Sequence, residues 1–496
     1  MICNQIICYL ILKLGGGEPT LSVYPFFITG RKEVNKFKLL DYIKERRIDL
    51  MKKFLLLKWP LFLYILILIP SLAMAQAKYV GSGRCATCHK AIYESWKDTL
   101  HNRSQQILTP TSNHVVVEWK GTIKLKAGKI PEVTIKLSEA SEGQNLVTMV
   151  DAKNPSKEVT YTVTRTYGGW GWKQRYQVTF GNNHYILPIQ WNQATSRWVP
   201  YNLHLWYNED GSFKKPSPDK SFEVNCAGCH NTGLELKKVS EGYESKYLEL
   251  NTGCEKCHGP GSEHIRSPKP KVKGNIINPR KLLYERAIEV CGQCHSRGVS
   301  VPHGTFEFPW NDADNKPYQL GEPLVNYYKL KPGEWGGPEA HSKSHHQQWI
   351  DLLRSTHFQV KVSCFDCHNP HGGAGLFQFV KPDYNNLLCL SCHGKDQKFA
   401  TPAAIRSHAK HNYAPETKGT SRCSKCHMVK TASSAEAGDV SSHDFKIIKP
   451  HVSLEMFKKD PKNVLPNSCN GCHKDWAKDE AGYQAGVKAY ESLFLK

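Results

Sequence analysis

Eight times along the chain, a cysteine, two intervening residues, a second cysteine and a histidine follow one another. The units are Cys85-Ala-Thr-Cys88-His89, Cys226-Ala-Gly-Cys229-His230, Cys254-Glu-Lys-Cys257-His258, Cys291-Gly-Gln-Cys294-His295, Cys364-Phe-Asp-Cys367-His368, Cys389-Leu-Ser-Cys392-His393, Cys423-Ser-Lys-Cys426-His427 and Cys469-Asn-Gly-Cys472-His473. Two thiols three positions apart project from one side of a helical turn. They can add to the two vinyl groups of one porphyrin as thioethers, and the adjacent histidine is then held under the iron as proximal ligand. Zinc is the competing chemistry, but its sites need four ligands, often a C-x-x-C pair completed by a second pair. Eight repeats, each with histidine directly after the second cysteine, fit zinc poorly. Eight covalently bound c-type haems are therefore expected. The units use every cysteine except Cys3 and Cys8, so disulfides are not expected.

The elements that position these units come next. Residues 51–75, from "MKKFLLLKWP" to Ala73-Met74-Ala75, have a basic start, an apolar run and a small-x-small site, the pattern of a secretory signal peptide. Residues 1–50 are read as an over-long N-terminal extension, with Met51 the expected start. The chain carries a formal charge of +21, and without residues 1–75 it keeps 55 basic and 40 acidic residues, a net +15. That balance does not call for nucleic acid. Each haem brings two propionates, which the surplus of Lys and Arg would neutralise.

Residues 76–112 read as a first haem module, in which Ile92, Trp96 and Leu100 recur at helical spacing and carry His101 to the helix end. Residues 113–207 hold no motif. "VTIKL", "VTYTVTRTY", "RYQVTF" and "HYILPIQW" are β-branched and aromatic, with Val159, Tyr161, Val163, Arg165 and Tyr167 expected on one face. The aromatics of "GGWGWKQRY" and "RWVPYNLHLWY" are read as core and haem-contact packing. Residues 208–476 carry the other seven motifs among Gly/Pro-rich loops, including a Lys/Pro loop at 266–273. Residues 477–496 form a terminal amphipathic helix. The expected fold is a mainly α and irregular multihaem cytochrome c fold with a haem-filled core and a small β-rich insert.

"YVGSGRCATCHKAIYESWKDTLH", "KQRYQV", "LPIQWN", "NCAGCHNTG", "GCEKCHGPGSEH", "VSCFDCHNPHGG" and "SHDFKI" resemble blocks of exported multihaem c-type cytochromes of respiratory bacteria. That superfamily includes pentahaem nitrite reductase, octahaem hydroxylamine oxidoreductase and octahaem tetrathionate reductase. The first block is also similar to the tetrahaem cytochrome of ammonia oxidisers. The resemblance spans nearly all of 79–476 and implies a haem core with a β-insert. Two departures stand out. No C-x-x-C-K motif of the nitrite reductase type is present. Tyr483 and Tyr490, near the C-terminus like the cross-linked tyrosine of hydroxylamine oxidoreductase, are read as ordinary packing residues.

A haem that only carries electrons has both axial positions filled, whereas one that does chemistry keeps a position open. Of 23 histidines, eight are proximal and fifteen remain. The resemblance implies His101, His264, His357, His371 and His443 as distal ligands, followed by His408 or His411 and His345 or His346. His451 and His204 are alternatives for the eighth. His371 has a geometric argument of its own. It lies three residues after His368, on the same side of a turn, and cannot pass around that porphyrin, so it must address a neighbouring iron or none at all.

The leading expectation is an exported octahaem electron-transfer cytochrome with mostly bis-histidine haems, active in periplasmic or extracellular anaerobic respiration. Its partners would be other redox proteins of the respiratory chain, with no nucleic acid and with membrane contact only through electron donors. The alternative is an oxidoreductase acting on a small nitrogen or sulfur oxyanion at one open haem. A third reading is a subunit of an extracellular haem filament.

Overall fold

The computed structural model describes residues 77–495, apart from 268–274, 337–339, 383–385, 397–398 and 413–420. The extension and signal peptide expected at 1–75 lie outside the described residues, as does most of the Lys/Pro loop.

The long strands lie where the sequence is β-branched and free of haem motifs. They are β1 (Gln105–Ile107), β2 (Gly121–Ala127), β3 (Ile130–Glu139), β4 (Asn145–Val150), β5 (Glu158–Gly168), β6 (Lys173–Phe180), β7 (Asn183–Asn192) and β8 (Arg197–Pro200). From β2 to β8 each strand pairs antiparallel with the next, while β1 pairs with β5, giving a barrel-like sheet. Its inner face is filled by Trp119, Val133, Ile135, Val147, Met149, Tyr176, Val178, Leu187 and Ile189, all buried. Alternation along the strands supplies this apolar face.

Two irregularities turn polar residues away from that core. The β5–β6 register slips between Val163 and Arg165. Val163 faces the core before the slip and Thr166 is fully buried after it, so Arg165 and Tyr167 leave the face that Val163 occupies. The expectation that all five residues from Val159 to Tyr167 share one face is corrected by this bulge, which adds a residue and reverses the alternation. The β6–β7 register shifts between Arg175 and Gln177.

Around the motifs the helices are short: Ser82–Ala86, Ala227–His230, Cys254–His258, Tyr284–Gly292, Cys364–Cys367, Leu387–His393 and Cys423–His427. Each supplies little more than the turn that presents two thiols and a histidine. At the fifth motif a capping box fixes the turn, with the Ser363 N–H donating to Asp366 Oδ2 at 2.7 Å and the Ser363 hydroxyl donating to the same atom at 2.8 Å. The purely protein clusters here are small, such as Val429, Ile448 and Leu465. The longest helix described, Glu480–Phe494, is capped by Asp479, which accepts from the Gly482 N–H at 2.8 Å. Tyr483 packs against Phe457 and Tyr490 against Phe494.

Helix accounts for 30% and strand for 24% of the chain. The mainly α expectation is not upheld in that form, because attachment turns are brief whereas the insert builds full-length strands. Among the described residues no helix is long and apolar enough to cross a membrane.

Candidate haem sites and the pocket at His230

Seven of the eight motif histidines face a second histidine. The ring centroids are 6.3 Å apart for His89 and His264, 6.4 Å for His295 and His101, and 5.8 Å for His258 and His371. They are 6.3 Å apart for His368 and His443, 5.9 Å for His393 and His357, 6.1 Å for His427 and His408, and 6.3 Å for His473 and His411. Two imidazoles sharing one metal need about 2 Å per bond, plus roughly 1 Å from each nitrogen to its ring centre, or about 6 Å in all. Direct stacking would bring parallel rings closer than that. Among the described residues no cluster of three or more His, Cys, Asp or Glu could hold a bare metal ion. A metal between two such rings must draw its other ligands from a prosthetic group, and the thiol pairs beside each motif histidine fit a porphyrin.

Hydrogen bonds orient these rings. Nδ1 of His258 faces the Ile277 carbonyl at 2.7 Å, and Nδ1 of His368 faces the Phe377 carbonyl at 2.8 Å. Nδ1 of His411 faces the Ala409 carbonyl at 2.6 Å. A carbonyl only accepts, so Nδ1 carries the proton and Nε2 presents its lone pair to a metal.

The motifs form a connected path. Thiols of the first and third motifs reach each other through Cys85 and Cys254, and those of the second and fourth through Cys229 and Cys294. Cys291 reaches Cys364 of the fifth, and Cys389 of the sixth reaches Cys423 of the seventh. Cys257 acts electrostatically on Cys291, Cys392 on Cys367 and Cys472 on Cys426. The fourth motif is thus a junction touching the second, third and fifth.

His230 differs from the other seven. Its ring contact is Tyr167, edge-on at 5.9 Å. Tyr167 lies opposite Arg175 across the β5–β6 ladder, and Arg175 lies opposite Gln190 across β6–β7. Lys173 and Arg175, two apart, share the strand face away from the buried Gln174 and Tyr176. Arg175 Nε donates to Gln190 Oε1 at 2.7 Å, and its guanidinium stacks on Tyr201 at 3.5 Å. Lys173 Nζ donates to the Ser434 carbonyl at 2.5 Å. Burial, reinforced by Arg175 and opposed by Asp439, holds the Lys173 pKa down to about 7.

His345 and His346, expected as candidates for one distal position, form no close ring pair with a motif histidine, although His295 and His230 act electrostatically on His346. Their own rings meet edge-on at 4.3 Å. Arg297 Nη1 donates to His346 Nε2 at 3.1 Å, occupying the lone pair a metal would need. The left-handed backbone at His346, φ 48°, sets that ring. Burial holds both imidazoles well below their usual pKa, helped at His345 by His346, Lys173, Arg175 and Arg297 and at His346 by Arg297, His295, His230 and Lys173. His204 and His451 are exposed. Two further histidines pair with carboxylates: His184 with Glu223 at 2.5 Å and His341 with Asp444 at 2.6 Å.

Beside the second motif the Arg165 guanidinium lies next to the Tyr167 hydroxyl. Both Arg165 Nη1 and that hydroxyl are buried without a well-formed hydrogen bond, a donor pair suited to a haem propionate. Sequence reasoning missed Tyr167, Lys173, Arg175 and Arg297. The available signal was two cations at strand spacing in "KQR", which no neighbouring carboxylate in the sequence explains.

A family model for the doubled CXXCH motif matches residues 357–398, and one for cytochrome c554 and c-prime matches 84–134 and 203–259. The chain is similar to the dissimilatory sulfite reductase MccA of Wolinella succinogenes, 23% identical over 418 residues, covering 71% of this chain and 50% of that one. It is also similar to the multihaem cytochrome MtrA of Shewanella baltica, 25% identical over 184 residues, covering 34% and 52%. The chain spans about half the length of the curated relatives it matches. In fold it is similar to the outer cell wall cytochrome OcwA, with a TM-score of 0.55 and 21% identity, covering 84% of this chain and 87% of that one.

Proposed function

We propose that this multihaem c-type cytochrome is an exported octahaem oxidoreductase. Seven motifs would hold bis-histidine haems as an electron conduit, and Cys226–His230 would hold an eighth at which a small nitrogen or sulfur oxyanion is reduced. The observation that carries this reading is the exception at His230. Seven motif histidines have a histidine opposite them, whereas beside His230 stand Tyr167, Arg175 and His346, with Lys173, Arg297 and His345 grouped around His346. The bound haem would supply an iron site and electrons one at a time. The chain's own residues bind and orient the anion. Arg175, held by Gln190 and Tyr201, offers a fixed cation in a site shielded from water, where charge acts strongly. Lys173 offers a cation that can also surrender a proton near neutrality.

The merged reading keeps the conduit expected from the sequence and favours the alternative chemistry at its end. One relative being named a dissimilatory sulfite reductase supports a sulfur oxyanion. The leader read at 51–75 supports export. Titration of the reduced holoprotein with CO should give about one CO per chain, at a high-spin haem. Sulfite or nitrite should be reduced at the expense of a reduced viologen dye. Absence of CO binding sinks the proposal and leaves a closed wire.

The Lys173 pKa gives a pH prediction. The lysine is charged below about 7 and loses its charge as pH rises through that value. Anion binding needs the charge, so the KM for the oxyanion is expected to climb as pH rises through about 7. In Lys173→Arg, always charged, the low KM should persist to higher pH. Steady-state assays from pH 6 to 9 check this.

A further inference from the structure

The proximal side of the His230 site lacks the short carbonyl bond that orients His258 and His368, as does His295, whose Nδ1 meets Gln348 Oε1 at 3.3 Å. Where His258 and His368 give their Nδ1 proton to backbone carbonyls at 2.7 and 2.8 Å, His230 Nδ1 meets only the Ser104 hydroxyl, at 3.4 Å. That hydroxyl is committed elsewhere, donating to Asn251 Oδ1 at 2.8 Å. Asn251 is itself fixed, its Nδ2 donating to the carbonyls of Asn102 at 2.9 Å and Gln105 at 3.0 Å. The Ser104 oxygen can still accept from Nδ1, but at long range.

A cation stands beside this weak bond. Lys256, from inside the third motif, donates to the carbonyl of Gly228 in the second. Gln293 of the fourth motif anchors it, Nε2 donating to the Lys256 carbonyl at 3.2 Å. Lys256 has no carboxylate partner among the described residues, and its charge acts on His230.

A strong acceptor on Nδ1 makes an imidazole a richer donor and favours the ferric state. A long bond and a nearby ammonium do the reverse. We infer that Lys256 is a positioning charge that, with the weak Ser104 contact, raises the potential of the second-motif haem. The inference rests on the reading of His230 as the open site.

Redox titration of the holoprotein, followed by the high-spin ferric EPR signal, tests it. At the wild-type midpoint, Lys256→Met should lower the ferrous-to-ferric ratio of that haem about tenfold, ~59 mV for one electron. Lys256→Arg should hold the wild-type value. Ser104→Asp, which places a carboxylate on Nδ1, should lower the ratio even where Lys256 variants fail to fold. An unmoved midpoint in Lys256→Met, an equal fall in Lys256→Arg, or no fall in Ser104→Asp overturns the inference alone. A wild-type protein with no high-spin signal overturns the reading of the site, and the inference with it.

Discussion

Arg175→Ala is expected to lower kcat/KM for oxyanion reduction by about 10²–10³-fold, about 2.7–4 kcal/mol of transition-state stabilisation. The guanidinium is fixed before any substrate arrives, by a 2.7 Å bond to Gln190 and by the Tyr201 ring at 3.5 Å. A cation already oriented costs no reorganisation as charge changes on the anion. Tyr167, its cross-strand neighbour, lies edge-on to His230, so the loss is local to the second motif. CO stoichiometry and the low-spin spectrum of the other haems should be unchanged. A loss below about threefold would mean that the guanidinium does not face the anion.

His371→Ala is expected to raise CO binding on the reduced protein from about one to about two molecules per chain. His371 stands 5.8 Å from His258, the rings 14° from parallel, so on the proposed pairing its removal should expose the iron that the third motif would hold. His368, three residues away, keeps His443 and should stay low-spin. If instead the fifth-motif haem opens, the pairing is wrong. Turnover in this variant also reports the direction of current. The third motif lies between the first and the fourth, away from the line running from the eighth to the second. Electrons entering at the C-terminal end should leave turnover intact, whereas electrons entering at the first motif should slow with the variant.

The attachment units are plain in the sequence because thioether chemistry fixes two cysteines and a histidine within five consecutive residues. The β-insert is also legible, because alternation survives in single strands. What could not be read was set by long-range folding or by a single extra residue. His101 meets His295 across nearly two hundred residues of chain, and no local period records that pairing. The bulge before Arg165 reverses which side Arg165 and Tyr167 serve, which alternation alone predicts the wrong way. His345 and His346 were visible as spare histidines, but only the Arg297 bond and the left-handed turn set them as pocket wall. Lys256 is hidden because its target, Gly228, belongs to another motif.

The thiol contacts between motifs carry a consequence for how the molecule is made. In the folded chain Cys85 reaches Cys254, Cys229 reaches Cys294 and Cys291 reaches Cys364. A bare polypeptide that collapsed to this shape in an oxidising compartment would bring thiols of different motifs near one another, where disulfides compete with thioether formation. Maturation is therefore expected to favour one order, with each pair capped by its porphyrin before the chain compacts.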